Sequence, residues 1–428
     1  MNMSNIKKNV FKIASGSLIS QLILFAFTPV LSRVFEPDVL GTYALFTTLY
    51  SILAGVSTLR YELSIPSPKS EKKAWGLTAV TISSSLCLSL FIFLFMLFLL
   101  FICNVKFPFS FLFIPVGIVI LSFQIICLQW SARRKNYTRY SIALSINSFS
   151  NIGVVLILIY FGFKSVDVLI YGFLSGIICS TLFLLSEPGF RFKRFIKNMS
   201  LFSTPRYIFY TVKRNIEYPK YMLPTFLLAS AATSAPVLII GIFKSHADVG
   251  FYSLASRFLM VPGVIIGGAI SEAVRAELFS RFHKKTEFYS IVRRILLWGG
   301  GACILFMLSI ALVGDKVFIF ILGEKFIPAA NIIVPLSLAT CFALLIQPLQ
   351  SLFIVLNRQS LNLIAQVMMA CIPNAMMVAV ALAGSELHEM IWGYSVAYAI
   401  VSLFIIVILR NIGKRYERLL RKADENHD

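Results

Sequence analysis

Trp75–Ile102 reads WGLTAVTISSSLCLSLFIFLFMLFLLFI, 28 consecutive residues without an Asp, Glu, Lys, Arg or His. A run of about 20 apolar residues already crosses ~30 Å of hydrocarbon as a helix. Lipid satisfies no exposed backbone N–H or C=O, so the run has to be a helix and not an open strand. Working outward, comparable blocks recur along the chain, and spans are expected near 10–32, 40–58, 75–102, 110–131, 141–162, 166–186, 222–243, 249–273, 292–313, 331–356, 361–383 and 389–409. Of 428 residues 58% are hydrophobic and 14% charged, against about 25% charged in a soluble domain. There are too few polar residues to coat a soluble body of this length. The expected class is an all-α polytopic membrane protein of about twelve transmembrane helices.

The net charge of +20 suggests nucleic acid until the charges are placed. Alternate connections, starting from the N-terminus, hold 32 of the 39 Lys and Arg residues; the other set holds only Arg33, Lys106, Lys164, Lys244, Lys316 and Lys325, and Arg257 lies inside a span. By the positive-inside rule the first set is cytoplasmic, with both termini. The basic excess then serves topology and attraction to anionic headgroups, not nucleic acid. Basic residues Lys7, Lys8 and Lys12 precede an apolar run with no small-residue cleavage site after it, which favours a retained first helix over a signal peptide. Six of the seven cysteines (Cys87, Cys127, Cys179, Cys303, Cys341, Cys371) fall inside spans and Cys103 ends one. They imply small apolar packing, not a disulfide framework.

An internal repeat divides the chain. Gly41-Thr42-Tyr43-Ala44-Leu45 in the second span matches Gly250-Phe251-Tyr252-Ser253-Leu254 in the eighth, an offset of 209. Each follows a span with a Pro-Val pair, Pro29-Val30 and Pro236-Val237; Glu62 has a loose counterpart in Glu272, and Arg134 in Arg358. The last offset, 224, leaves 15 extra residues that a long connection at 314–330 accommodates. Two six-helix lobes follow, 1–186 and 222–409, joined by a basic cytoplasmic linker, 187–221, and ending in a tail, 410–428. Both copies start on the same side, so the repeat is parallel and pseudo-symmetric about an axis along the membrane normal.

No Asp or Glu falls in the middle of an expected span, and His246, His283, His388 and His427 lie in loops or the tail. Metal clusters, nucleophile elbows and phosphate loops are absent from the sequence, so neither an enzyme nor a cofactor is expected. The missing buried carboxylate weighs against a proton-driven exporter. What the spans hold is cationic and amide chemistry. Arg257 lies about eight residues into its span, roughly 12 Å deep at 1.5 Å per residue. An arginine there costs on the order of 3 kcal/mol unless it faces water, a partner or an anion. It either donates to carbonyls of a broken helix or receives an anionic substrate. Arg33 and Lys12 flank the first span, where snorkelling competes with a cavity role. Gln21, Asn147, Asn151, Gln347, Gln350 and Gln366 are interhelical glue or line a cavity that binds sugar hydroxyls. Tyr43, Tyr50 and Tyr252 pack in the core or stack on sugar rings. Pro224, Pro236, Pro262, Pro335, Pro348 and Pro373, with the glycines Gly263, Gly267 and Gly299–Gly301, permit kinks and close helix packing, or hinges for alternating access.

Thr28–Phe46 (TPVLSRVFEPDVLGTYALF) and Leu59–Ala74 (LRYELSIPSPKSEKKA) resemble the opening of the polysaccharide biosynthesis proteins. These are the Wzx-type O-antigen and oligosaccharide-lipid flippases of the multidrug/oligosaccharidyl-lipid/polysaccharide (MOP) superfamily. Asp248–Val274 and Phe320–Ser337 resemble the family's eighth helix and the stretch before its tenth. The resemblance implies twelve helices in two lobes around a central cationic cavity, in the inner (cytoplasmic) membrane. It implies export of an undecaprenyl-pyrophosphate-linked oligosaccharide, with a polysaccharide polymerase and a chain-length regulator as partners. Cavity arginines of the family's first and eighth helices correspond to Arg33 and Arg257; this chain departs from the pattern in having no mid-helix arginine in its first span. The substrate-binding set expected is Arg257, Arg33, Gln21, Tyr43, Tyr252 and Gln347.

The expected mechanism is alternating access. Guanidinium binds pyrophosphate oxygens bidentately and stays charged, and an inside-negative potential favours outward movement of an anion by about 2.3 kcal/mol per charge per 100 mV. A drug exporter of the same superfamily, a membrane glycan polymerase or ligase, and a non-transporting scaffold of a glycan assembly complex are the rival readings. A polymerase or ligase is expected to show long extracytoplasmic loops bearing catalytic Arg or His, which this sequence lacks.

Overall fold

Helices account for the regular structure, and among the described residues there is no strand. The structure is a computed structural model that describes residues 3–68, 70–104, 108–186, 204–283, 289–356 and 358–425. Residues 187–203 of the expected linker, and the side chains of Lys7, Lys8, Lys12, Pro262 and Glu272, lie outside the described residues. Eleven helices among those described are long and apolar enough to cross a membrane. The eighth expected span lies within a further 38-residue helix, His246–His283. The chain is a multi-pass membrane protein.

In order, the helices are α1 (Met3–Val34), α2 (Pro37–Ser57), α3 (Glu71–Phe101), α4 (Ile114–Arg133), α5 (Tyr137–Tyr160) and α6 (Val166–Leu185). A short helix α7 (Pro205–Arg214) precedes α8 (Leu223–Phe243) and α9 (His246–His283). Then come α10 (Ser290–Leu322), α11 (Ile333–Leu349), α12 (Gln359–Leu382) and α13 (Leu387–Glu425). Local chemistry sets the ends. Asn136 caps α5 by accepting the Arg139 N–H at 3.3 Å, which satisfies one of the first turn's free donors. After α5, Gly162 takes φ +87° and the Phe163 N–H reaches back to the Leu158 carbonyl at 3.1 Å, a closure that needs a residue free to turn left-handed.

The region 314–330, expected as a long connection, is mostly helix. α10 continues through π-helical segments at Ile295–Gly299 and Ile310–Gly314 and runs to Leu322. Asp315 and Lys316 are exposed while Phe318 and Leu322, four residues apart, are fully buried. One face therefore carries the charges and the other still packs. Gly323 at φ +92° ends the helix.

The chain folds as two compact units, the first Met1–Phe27 with Thr42–Leu227, the second Thr28–Gly41 with Leu228–Asp428. The first unit has two apolar clusters. One is built on Phe46, Tyr50, Ile92, Ile118 and Ile170, the other on Tyr61, Trp75, Trp130 and Leu184. Between its helices the glue is hydroxyl and amide. Ser122 Oγ meets Ser85 Oγ at 2.7 Å and Ser57 Oγ at 3.3 Å, and Gln124 donates to Ser180 Oγ at 2.8 Å. A Cβ on Gly176 would lie 2.5 Å from the Asn147 carbonyl, and one on Gly172 2.9 Å from that of Asn151. Small residues thus bring α6 onto the backbone of α5, as is usual where lipid supplies no hydrophobic drive.

The second unit packs α9, α10, α11 and α13 around Leu278, Val292, Ile346, Phe353, Val401 and Ile405. Here the two repeat motifs meet. A Cβ on Gly41 would fall 1.7 Å from the His246 carbonyl oxygen, and one on Gly250 2.2 Å from the Pro37 oxygen. His246 stands four residues before Gly250, and Pro37 four before Gly41. The crossing is reciprocal.

Candidate functional site

The second unit encloses a cavity of about 370 Å³, within the size range of small-molecule sites. Five helices supply its wall. Tyr252 and Met260 come from α9, Thr233 from α8, Thr340 from α11, Gln366 and Met369 from α12, and Tyr394 and Tyr398 from α13; Gln350 follows α11. None of the lining residues is charged. The spacing Tyr394–Tyr398 places both rings on one helical face, with centroids 6.0 Å apart. Gln350 Nε2 donates only a long contact to the Met369 sulfur at 3.6 Å. The Thr233 and Thr340 hydroxyls bond back to their own helices, at Ala229 and Leu336. Such a wall offers amides, phenols and thioethers: it suits an uncharged, hydroxyl-bearing or amphipathic ligand.

The expected site residues do not converge on one place. Tyr252, 4% exposed, lines the cavity. Arg257, one turn and a half further along α9, is half-buried and does not line it. Among the described residues its guanidinium has no hydrogen-bond, ion-pair or ring partner. Gln347 is exposed on α11, its Oε1 3.2 Å from where a Cβ on Gly267 would sit. Arg33 is exposed and donates from Nη2 to the Phe320 carbonyl at 3.1 Å. That oxygen belongs to the last turn of α10, whose carbonyls lack helical partners. Beside it Lys325 Nζ meets Glu36 Oε1 at 2.5 Å. In the first unit, Gln21 is half-buried on α1 with Nε2 3.5 Å from Ser17 Oγ, and Tyr43 packs against the Phe46–Tyr50 cluster.

Gln350 and Gln366 were legible as polar residues within spans; Thr233, Thr340, Tyr394 and Tyr398 were not. The one signal for the pair of tyrosines was their spacing of four in the last span. A second feature escaped the sequence altogether. Glu62, between spans, is 1% exposed and pairs with Arg60 at 3.2 Å. The spans are free of mid-membrane acid, but the elbow after α2 holds a buried one.

No family model matches the chain, and no curated protein matches it. Solved structures do. A lipid II flippase, MurJ, in an inward closed conformation is similar at TM-score 0.65 and 13% identity, covering 97% of this chain and 91% of that one. A Vibrio cholerae MATE transporter, VcmN, is similar at TM-score 0.58 and 11% identity, covering 97% and 99%. A MOP superfamily transporter from Pyrococcus furiosus, described by the reversed polarity of its binding pocket, is similar at TM-score 0.53 and 15% identity, covering 97% and 96%. These likenesses show a shared fold over nearly the whole chain.

Proposed function

We propose that this chain is a flippase that carries an undecaprenyl-pyrophosphate-linked oligosaccharide across the cytoplasmic membrane by alternating access, with both termini in the cytoplasm. Arg257 carries the reading: a half-buried guanidinium on α9, the helix that contains the eighth expected span, unpartnered among the described residues. Such a charge is costly in lipid unless water or an anion receives it, and a pyrophosphate supplies two oxygens in the geometry that guanidinium prefers. The neutral cavity in the same unit, with Tyr252, Gln350 and Gln366 in its wall, offers the phenol and amide groups that hold sugar hydroxyls. The membrane potential supplies up to roughly 4–5 kcal/mol for a group of charge near −2 at 100 mV.

Complementation of a strain lacking the gene tests this. Arg257→Ala is expected to abolish surface glycan and to leave lipid-linked glycan on the inner leaflet; Arg257→Lys restores display in part. Normal display with alanine at normal protein levels overturns the role.

A second reading has its own support. The cavity is mostly apolar, uncharged and bordered by Met260 and Met369, which suits a small amphipathic molecule as well as a sugar. An exporter of such molecules predicts hypersensitivity to amphipathic drugs in the deletion strain, with surface glycan unchanged. The flippase predicts the reverse.

A further inference from the structure

The elbow that joins α2 to α3 departs from ordinary backbone. Leu59 and Arg60 take φ +48° and +64°, the left-handed region that non-glycine residues rarely occupy. The 3-10 turn Tyr61–Ser64 follows, with Tyr61, Glu62 and Ser64 buried. Strain of this kind persists only where the surroundings hold it, and here they do. Arg133 donates to the carbonyls of Ile65, Pro66 and Pro68, Trp130 Nε1 donates to Thr78 Oγ1 at 3.1 Å behind it, and Tyr61 sits in the Trp75–Trp130 cluster. The turn is thus fixed with a carboxylate inside it.

Two buried polar atoms of this elbow, Arg60 Nε and Tyr61 Oη, have no hydrogen-bond partner among the described residues. Glu62 Oε1 is taken by Arg60 Nη1, and the Arg60 guanidinium also lies over the Phe226 ring, 4.2 Å from its centroid. Arg60 therefore has a second resting contact that needs no carboxylate.

We propose that Glu62 is a proton-binding site of this transporter, and that taking up a proton frees Arg60 from its ion pair while the Phe226 ring keeps it in place. With the ion pair open, Arg60 is a cation available to an anion. The carboxyl lies outside the spans, and burial pushes it above the ordinary carboxylate range; Thr58 and Arg60 pull the other way without cancelling that. The charged and titratable groups on the packed elements are few. α3 presents Glu71, Lys72 and Lys73, all exposed. α4 presents Arg133, engaged with carbonyls, and Arg134, near the Trp130 ring. The π-helical segment Tyr218–Met222 presents Tyr218 and Lys220, the latter near the Tyr221 ring. Among the described residues Arg60 is the one charge that acts on Glu62. The proposal rests on the flippase reading only for the cargo that the proton accompanies.

Infrared titration of the full chain in nanodiscs tests it without any cargo. The wild type is expected to keep a protonated-carboxyl stretch above the pH at which free glutamate is ionised, about 4.3, and Glu62→Gln is expected to lose that stretch. Arg60→Gln removes the opposing charge and moves the titration upward by about 1–3 pH units, which keeps the test decisive if Glu62→Gln folds poorly. No stretch lost in Glu62→Gln, or an unmoved titration in Arg60→Gln, overturns the site. Failure of the titration leaves the flippase reading intact, and failure of the Arg257 complementation leaves the proton site intact.

Discussion

Arg33 and Arg257 are the same side chain in opposite situations. Arg33 spends its guanidinium on the Phe320 carbonyl at an exposed helix end, a bond worth about 1.5–3 kcal/mol at most for a charged donor and less where water competes. Arg257 has a half-buried guanidinium and no such partner among the described residues. Arg33→Ala is therefore expected to lower the thermal midpoint slightly and to leave glycan display near wild type, with Arg33→Lys restoring the midpoint in part. Loss of display at unchanged stability contradicts this and places Arg33 on the substrate path. Glu62 makes a separate prediction at this scale. Its carboxyl is raised in the folded chain, so the stability tied to it is full below the unfolded value of about 4.3 and falls as pH rises through the folded value. Thermal scans across that window should show a decline in the wild type that Glu62→Gln flattens; equal slopes in both proteins refute it.

At the scale of elements, the most informative contact is the crossing of α2 and α9 at Gly41 and Gly250. A methyl on Gly41 meets a backbone oxygen at 1.7 Å, and backbone cannot swing aside as a side chain does. Gly41→Ala is expected to cost at least the 1–3 kcal/mol typical of overpacking, about 2 kcal/mol or more. Gly300→Ala, in a helical stretch with nothing within 4 Å, should be neutral or stabilising by about 0.5–1 kcal/mol. Equal melting temperatures for the two variants would rule out a tight crossing. These two glycines were legible as a pair because Gly-x-Tyr recurs at an offset of 209 with Pro-Val pairs before it. The rest of the second unit's cavity was not. A lone Thr340 or Tyr394 in an apolar span reads as packing, because period alone says which residues share a face and not which faces enclose a void. Glu62 was illegible for the converse reason: a charged residue between spans is expected in water, and only the left-handed elbow clasped by Arg133 takes it out.

For the molecule as a whole, charge placement and fold bear on different things. The similarity to MurJ and to MATE transporters at 11–13% identity speaks to the path of the chain, whereas the distribution of 39 basic residues speaks to which side each connection faces. A 32-to-6 bias is far stronger than chance, and short flanking loops are where the rule acts. Lys72 and Lys164 are both exposed; Lys72 stands in the second basic-rich connection and Lys164 in a basic-poor one. In a chain whose seven cysteines, all free, are replaced by alanine, Lys164→Cys should react with a membrane-impermeant maleimide in intact cells. Lys72→Cys should react only after permeabilisation. The reverse pattern would invert the protein and place the elbow of Glu62 and Arg60 on the outer side, while the potential would still favour outward movement of an anion. The expected pattern would place that elbow in the cytoplasm, on the side from which the potential drives an anion outward.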